Sequence, residues 1–234
     1  MTTEYNVGTH RQDIMFYSTE KEIGLGQNIA KKIAKELEIS SNPYHIERIT
    51  KIGAKIAKVC DRQELNYYFY VIDKDEKNAF SIPGGYIYIY KGLLELLDDD
   101  QLAFVLAHEI GHIVSRHGVK RLQAALGYNL LVLASTRAPA DPQFSRGVSA
   151  ALAQILAGYS REDELNADEL AAKYTQQAGF NPQAGIKTME KLYQEGKKTV
   201  RPISYFRTHP YATQRIRQIK ESLHLPLDVE DYIN

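Results

Sequence analysis

Apolar residues recur at three- and four-residue spacing through most of the chain, and one central stretch alternates instead. Ile23, Ile29, Ile33, Ala34 and Leu37 predict a helix from Ser18 to about Ile39, weakened in its first turns by Gly24 and Gly26. Asn42-Pro43 is a helix start, and Ile46, Ile49, Ile56 and Val59 mark the buried side of that second helix. The run Tyr67 to Ile72 is aromatic and β-branched and predicts a strand. After a charged turn, residues 78–82 predict a second strand, Pro83-Gly84-Gly85 a turn and 86–90 a third strand. Alternation there sets Tyr86, Tyr88 and Tyr90 on one face, expected to be half exposed, and Ile87 and Ile89 on the other.

Helical spacing returns after Leu93. Asp98 with Gln101 has the form of a capping box, and Gly118 the form of a residue just past a helix end. Between them Leu102, Val105, Leu106, Glu109 and Ile113 share one helical face. Residues 119–158 predict an apolar helical hairpin, broken at Ala138-Pro139-Ala140-Asp141-Pro142. It could be core, a lid, or a surface for membrane or oligomer partners. A strong helix begins near Arg161, crowded with acids. Gly179 to Pro182 ends it and starts another, in which Met189, Leu192 and Tyr193 are expected in the core. Residues 196–204 predict a basic loop, and 211–223 the last helix.

The chemistry lies in the helix after Asp98, which contains His108-Glu109-Ile110-Gly111-His112. Residues four apart on a helix lie one turn along and about 40° round. Two imidazoles then point the same way, within reach of one Zn²⁺, and Glu109 can serve as a general base toward water. His117 is one position early for the H-E-x-x-H-x-x-G-x-x-H pattern. On a continued helix it would sit about 140° from His112, so a surface or supporting polar role is expected for it. A carboxylate from a second helix is the other source of a third ligand. Glu164 and Asp168 share a face, so Glu164 could bind metal while Asp168 holds the far nitrogen of a ligand histidine.

Composition narrows the partners. Lys+Arg and Asp+Glu both number 29, so nothing favours a nucleic acid driven by bulk charge. A single cysteine, Cys60, excludes an intrachain disulfide. The first 16 residues lack an apolar signal core, which suits either a cytoplasmic protein or one whose export segment has been removed.

Taken together, H-E-x-x-H and a distant E-x-x-A-D resemble the HtpX-like gluzincin metallopeptidases, a family that includes the CAAX prenyl proteases. Asn78-Ala79-Phe80 with Pro83-Gly84-Gly85, Tyr159-Ser160-Arg161 ahead of Glu164, and His209-Pro210 with Arg215 match further motifs of that family. The resemblance spans roughly residues 20–223 and is closest to the single-domain bacterial members.

The resemblance implies one Zn²⁺ on His108, His112 and Glu164, Glu109 as base, Asp168 as support and His209 facing the active site. A histidine or arginine there can stabilise an oxyanion, so Arg215 is either a donor to substrate or a partner of the acids. The expected fold is α+β, mainly helical and zincin-like, with a small antiparallel sheet beside the H-E-x-x-H helix. An arm over 1–17, one domain over 18–228 and a tail over 229–234 are the expected divisions. Substrate would be unfolded or misfolded protein lying extended on Asn78, Ala79 and Phe80, with Arg215 near it. The resemblance also implies protein quality control, in the periplasm or at a membrane surface. The rival reading is a catalytically silent, zinc-bound, chaperone-like binding module. Intact Glu109 speaks against it.

Overall fold

A computed structural model describes residues 2–15, 17–124, 158–198 and 203–228. The hairpin expected at 119–158 falls largely outside them, as does the tail from 229 onward.

The expected irregular arm is instead an antiparallel hairpin, β1 (Thr2–Asn6) with β2 (Arg11–Met15), paired Thr2↔Met15 through Asn6↔Arg11. Its pattern is too short and polar to announce itself, and its anchors lie far along the chain. Asn6 Nδ2 donates to Ser115 O at 2.8 Å, and Asn166 Nδ2 to Gly8 O at 2.9 Å.

Helices α1 (Thr19–Glu36) and α2 (Pro43–Ala57) begin at Ser18 and Asn42, whose side chains accept from Lys21 N and Tyr44 N. The next sheet contains β3 (Tyr68–Ile72), β4 (Ala79–Ile82) and β5 (Tyr86–Tyr90) in the order β3-β5-β4. The expected sheet is present but mixed. β4 and β5 are antiparallel across Gly84 and Gly85, whose φ values of 82° and 95° suit only glycine. β3 lies parallel to β5, because the chain leaves the sheet between β3 and β4 and re-enters on the far side.

The tyrosine face is not half exposed. Tyr86, Tyr88 and Tyr90 are buried with Phe80 and Ile82 against Ile29 and Ile33 of α1. Alternation identifies faces but cannot reveal that a helix from earlier in the chain covers one of them. The opposite face, with Val71, Ile87 and Ile89, joins the main core.

That core surrounds α4 (Asp99–Val114), reached through the short α3 (Lys91–Leu96). Every residue of α4 from Gln101 to Val114 is buried, as befits a helix apolar nearly all round. α5 (Arg161–Gln177) crosses it closely. A Cβ at Gly111 would stand 3.1 Å from Ala167 O and 3.2 Å from Ala167 Cα, so the bare glycine sets the approach. α6 (Ala184–Lys197), α7 (Ser204–Thr208) and α8 (Ala212–Ser222) complete the described fold, with α6 extending into the expected 196–204 loop. Met189 and Leu192 are in the core, whereas Tyr193 is 55% exposed beneath Lys197, and Ile46 is 39% exposed. Each lies just off its helix's apolar stripe. No described helix is long and apolar enough to cross a membrane.

Candidate metal centre

The two central helices are fixed at their starts. Asp98 Oδ1 accepts from Gln101 N at 2.8 Å and Gln101 Oε1 from Asp98 N at 3.2 Å. Ser160 and Asp163 make the same reciprocal pair at the start of α5. These caps set the phase of each helix, so His108 and His112 of α4 meet Glu164 of α5. His112 Nε2 lies 3.0 Å from His108 Nε2. Glu164 Oε2 lies 3.4 Å from His108 Nε2, and Oε1 lies 3.4 Å from His112 Nε2.

His209 joins them. It caps the end of α7, where its N–H donates to Tyr205 O at 2.7 Å. Its Nδ1 is 3.1 Å from Glu164 Oε1 and 3.3 Å from His108 Nε2. One donor atom from each of His108, His112, Glu164 and His209 lies within 4.8 Å of the other three, and all four residues are buried.

Such a set fits a zinc ion. Imidazole nitrogens and a carboxylate oxygen are its usual donors. Both oxygens of Glu109 are buried without a hydrogen bond, and Glu164 Oε2, also without one, has Arg215 Nη1 at 3.1 Å. Two buried carboxylates with a single guanidinium shared between Glu164 and Asp168 leave negative charge that a cation at the cluster would offset.

Charge is held tightly here. Burial would raise the Glu164 carboxyl, but His209 and Arg215 hold it well below the usual range, helped by His108 and His112. Burial pushes His112 down to about 3, with the charge of His108 acting the same way. For His108, burial and Arg215 push downward, yet Asp168 and Glu164 carry it up to about 9.

Asp168 Oδ1 stands 2.8 Å from His108 Nδ1, the far nitrogen. Of the two roles expected for Arg215, donor to substrate or partner of the acids, its contacts match the second. Its side chain is fully buried, with Nε and Nη2 on the two oxygens of Asp168 at 2.7 and 2.8 Å and Nη1 3.1 Å from Glu164 Oε2. Two carboxylates at the core of the molecule need a cation, and the guanidinium is committed to them.

The strand beside the site can offer a substrate its backbone but not the Phe80 side chain. Phe80 stacks on Tyr88 at 5.0 Å between ring centres, in the layer under α1, so its side chain faces away. Asn78 Oδ1 accepts from Ala79 N at 3.0 Å and Thr208 Oγ1 at 3.1 Å, tying β4 to α7. Tyr90 N donates to Asn78 O. In the antiparallel ladder Phe80 and Ile82 therefore also bond toward β5, and the backbones of Ala79 and Ser81 turn to the other side. No described strand pairs there. Ala79 O lies 3.3 Å from His209 Nε2, so this edge runs beside the donor cluster.

Three neighbours of the site had no clear sequence signal. Tyr159 stacks on His112 at 3.8 Å and 16°. Tyr205 stacks on His209 at 4.7 Å. His117 is buried against His112, because α4 ends at Val114 and not at Gly118. Arg116 takes φ 56°, and its guanidinium holds Glu22, Glu4 and Tyr17 O. The hints were the Tyr159-Ser160-Arg161 motif, matched by resemblance without a role for the tyrosine, and the spacing of His117 from H-E-x-x-H.

The sequence is 27% identical over 211 residues to the β-barrel assembly-enhancing protease of Escherichia coli strain K12, covering 85% of this chain and 43% of that protein. It is 27% identical over 195 residues to metalloprotease LoiP of the same organism, covering 78% of this chain and 72% of the relative. A mitochondrial metalloendopeptidase of Schizosaccharomyces pombe is 28% identical over 226 residues, covering 94% of this chain and 66% of the relative. The chain thus spans less than half the length of the first of these proteins. The model of peptidase family M48 matches residues 29–223, from α1 through α8. A match that takes in both capped helices and His209 is more than an isolated H-E-x-x-H: the chain belongs to peptidase family M48.

Proposed function

We propose that this chain is a zinc-dependent metalloendopeptidase acting on extended segments of unfolded or misfolded proteins. The observation that carries the reading is Glu109, fully buried with both oxygens free of hydrogen bonds, on the helix that presents His108 and His112. His108, His112 and Glu164 would hold the metal. Bound zinc supplies Lewis acidity toward a carbonyl oxygen and makes water easier to deprotonate.

The residues divide the remaining work. Glu109 accepts the proton of the attacking water and passes it to the leaving amine. Its Oε1 is 3.3 Å from His209 Nε2, so the two can exchange a hydrogen bond as charge moves. His209 stands on the side of the cluster nearest β4, where a donor can stabilise the oxyanion of the tetrahedral intermediate. Asp168 holds the ring of His108, and Arg215 holds Asp168 and Glu164.

The outward edge of β4 supports binding by strand addition, which reads backbone more than side chains and suits loose specificity. A relative named for enhancing β-barrel assembly supports a role in protein quality control. With the family resemblance, it also supports action in the periplasm or at a membrane surface. Casein cleavage that stops with chelator and in Glu109→Gln, while that variant keeps stoichiometric zinc, is the expected result. Cleavage that survives in zinc-loaded Glu109→Gln refutes the assignment.

A further inference from the structure

We propose that His117 is a positioning residue that fixes the ring of His112 through a relay, a hydrogen bond from His112 to His117 followed by a 3.3 Å polar contact from His117 to Asp163. The inference rests on the metal-centre reading above and extends it to the second histidine of the motif.

The geometry determines where the protons sit. His112 Nε2 faces the donor cluster, 3.0 Å from His108 Nε2 and 3.4 Å from Glu164 Oε1. Its lone pair is needed there, so its proton belongs on Nδ1. His112 Nδ1 lies 2.9 Å from His117 Nδ1, which must then accept. The remaining proton of His117 is on Nε2, 3.3 Å from Asp163 Oδ1. Both imidazoles are neutral and each tautomer is set by the next group. The donor direction runs from His112 to His117 to Asp163.

The backbone is bent to make this contact. A continued α-helix would carry His117 away from His112, but the left-handed turn at Arg116 brings it back. That conformation is unfavourable for a non-glycine residue, and the bonds of Arg116 to Glu22, Glu4 and Tyr17 O hold it. Tyr159 closes the flat face of His112, so ring rotation is blocked at the face and at the far nitrogen together.

Asp163 has two tasks. Its Oδ2 accepts from Ser160 N at 3.2 Å, closing the cap of α5 one residue before Glu164. One carboxylate therefore anchors the helix that carries the Glu164 donor and terminates the relay behind the His112 donor. The two histidines of the motif are backed differently: His108 by an anion, Asp168, and His112 by a neutral ring.

Zinc affinity by chelator competition, with the full chain and zinc ion as probe, tests this. The amide introduced by His117→Asn can still offer an acceptor near the place of Nδ1, whereas the leucine of His117→Leu leaves the His112 N–H buried and unpaired. His117→Leu is expected to weaken zinc about 10–100-fold, and His117→Asn by no more than about threefold. Equal affinity for wild type and both variants overturns the relay but leaves the metal centre standing. Zinc bound stoichiometrically by His112→Ala with unchanged affinity overturns the centre itself. A measurement independent of variant folding is the ¹⁵N correlation spectrum of the histidine rings in the wild-type chain. It should show His112 protonated at Nδ1 and His117 at Nε2; a proton on His117 Nδ1 refutes the relay.

Discussion

Adding one methyl group at Gly111 tests whether the α4–α5 approach builds the site. The new Cβ would meet Ala167 O at 3.1 Å, Ala167 Cα at 3.2 Å and Leu170 Cβ at 3.4 Å. The first two are shorter than ordinary contact, and both belong to backbone, so α5 must move by a few tenths of an ångström. Overpacking of this kind costs about 1–3 kcal/mol. Replacing glycine by alanine inside a helix returns about 1 kcal/mol, leaving Gly111→Ala between neutral and ~2 kcal/mol destabilised. Gly24 is the control. It is also inside a helix, but a Cβ there meets nothing within 4 Å, so Gly24→Ala should stabilise by up to ~1 kcal/mol.

For a chain of this size the pair should differ in melting temperature by about 2–12 °C, Gly111→Ala being lower. Thermal unfolding in chelator isolates this packing term from metal binding. Chelator competition should then show weaker zinc in Gly111→Ala, because Glu164 rides on the helix that is displaced. If Gly111→Ala raises the melting temperature as much as Gly24→Ala and binds zinc like wild type, the close approach does not set the site.

Other perturbations follow from the same contacts. Asp168→Asn should lower zinc affinity by about 10–100-fold, because His108 loses its anionic partner and the buried Arg215 its main one; unchanged affinity in a competition assay would count against that support. Glu22 is buried and accepts from Arg62 Nη1 at 3.0 Å and Arg116 Nε at 3.0 Å, so Glu22→Ala should destabilise by about 3 kcal/mol or more in urea unfolding. A loss of less than about 1 kcal/mol would show this buried cluster to be unimportant for stability. Cys60 is 3% exposed and burial pushes its thiol up, so iodoacetamide at about pH 8 should leave it intact in the native protein and label it in denaturant, read by mass. Removing metal should lower the unfolding free energy by about 2.7 kcal/mol relative to protein held at zinc about one hundred times its dissociation constant. A melting curve indifferent to zinc would contradict a site assembled from two helices.

Much of the candidate site is legible in the sequence because it obeys local periodicity. The four-residue spacing of His108 and His112, the capping box at Asp98, and the shared face of Glu164 and Asp168 come from 3.6 residues per turn and from capping chemistry. The short strands come from alternation and from the two glycines between β4 and β5. Features that depend on groups distant in sequence are not legible in this way. From the sequence Arg215 could be a donor to substrate or a partner of the acids, because a guanidinium on an isolated helix has no assigned partner. Asp168, 47 positions earlier, claims it. The tyrosine face looks half open because α1, some 50–70 positions before it, supplies its cover.

The amino-acid sequence alone therefore determined the helix bearing both histidines and Glu109, the acid helix, the local pairing of β4 with β5 and the family resemblance. Only the tertiary structure decided that Glu164 and His209 stand within reach of the pair, that β3 runs parallel to β5, and that His117 returns to His112. The reason is range. Backbone hydrogen bonds and side-chain period act over one or two turns, and these are written in neighbouring residues. The distance between two helices and the fate of a buried charge are set by packing and desolvation, which sum over residues that only the folded chain brings together.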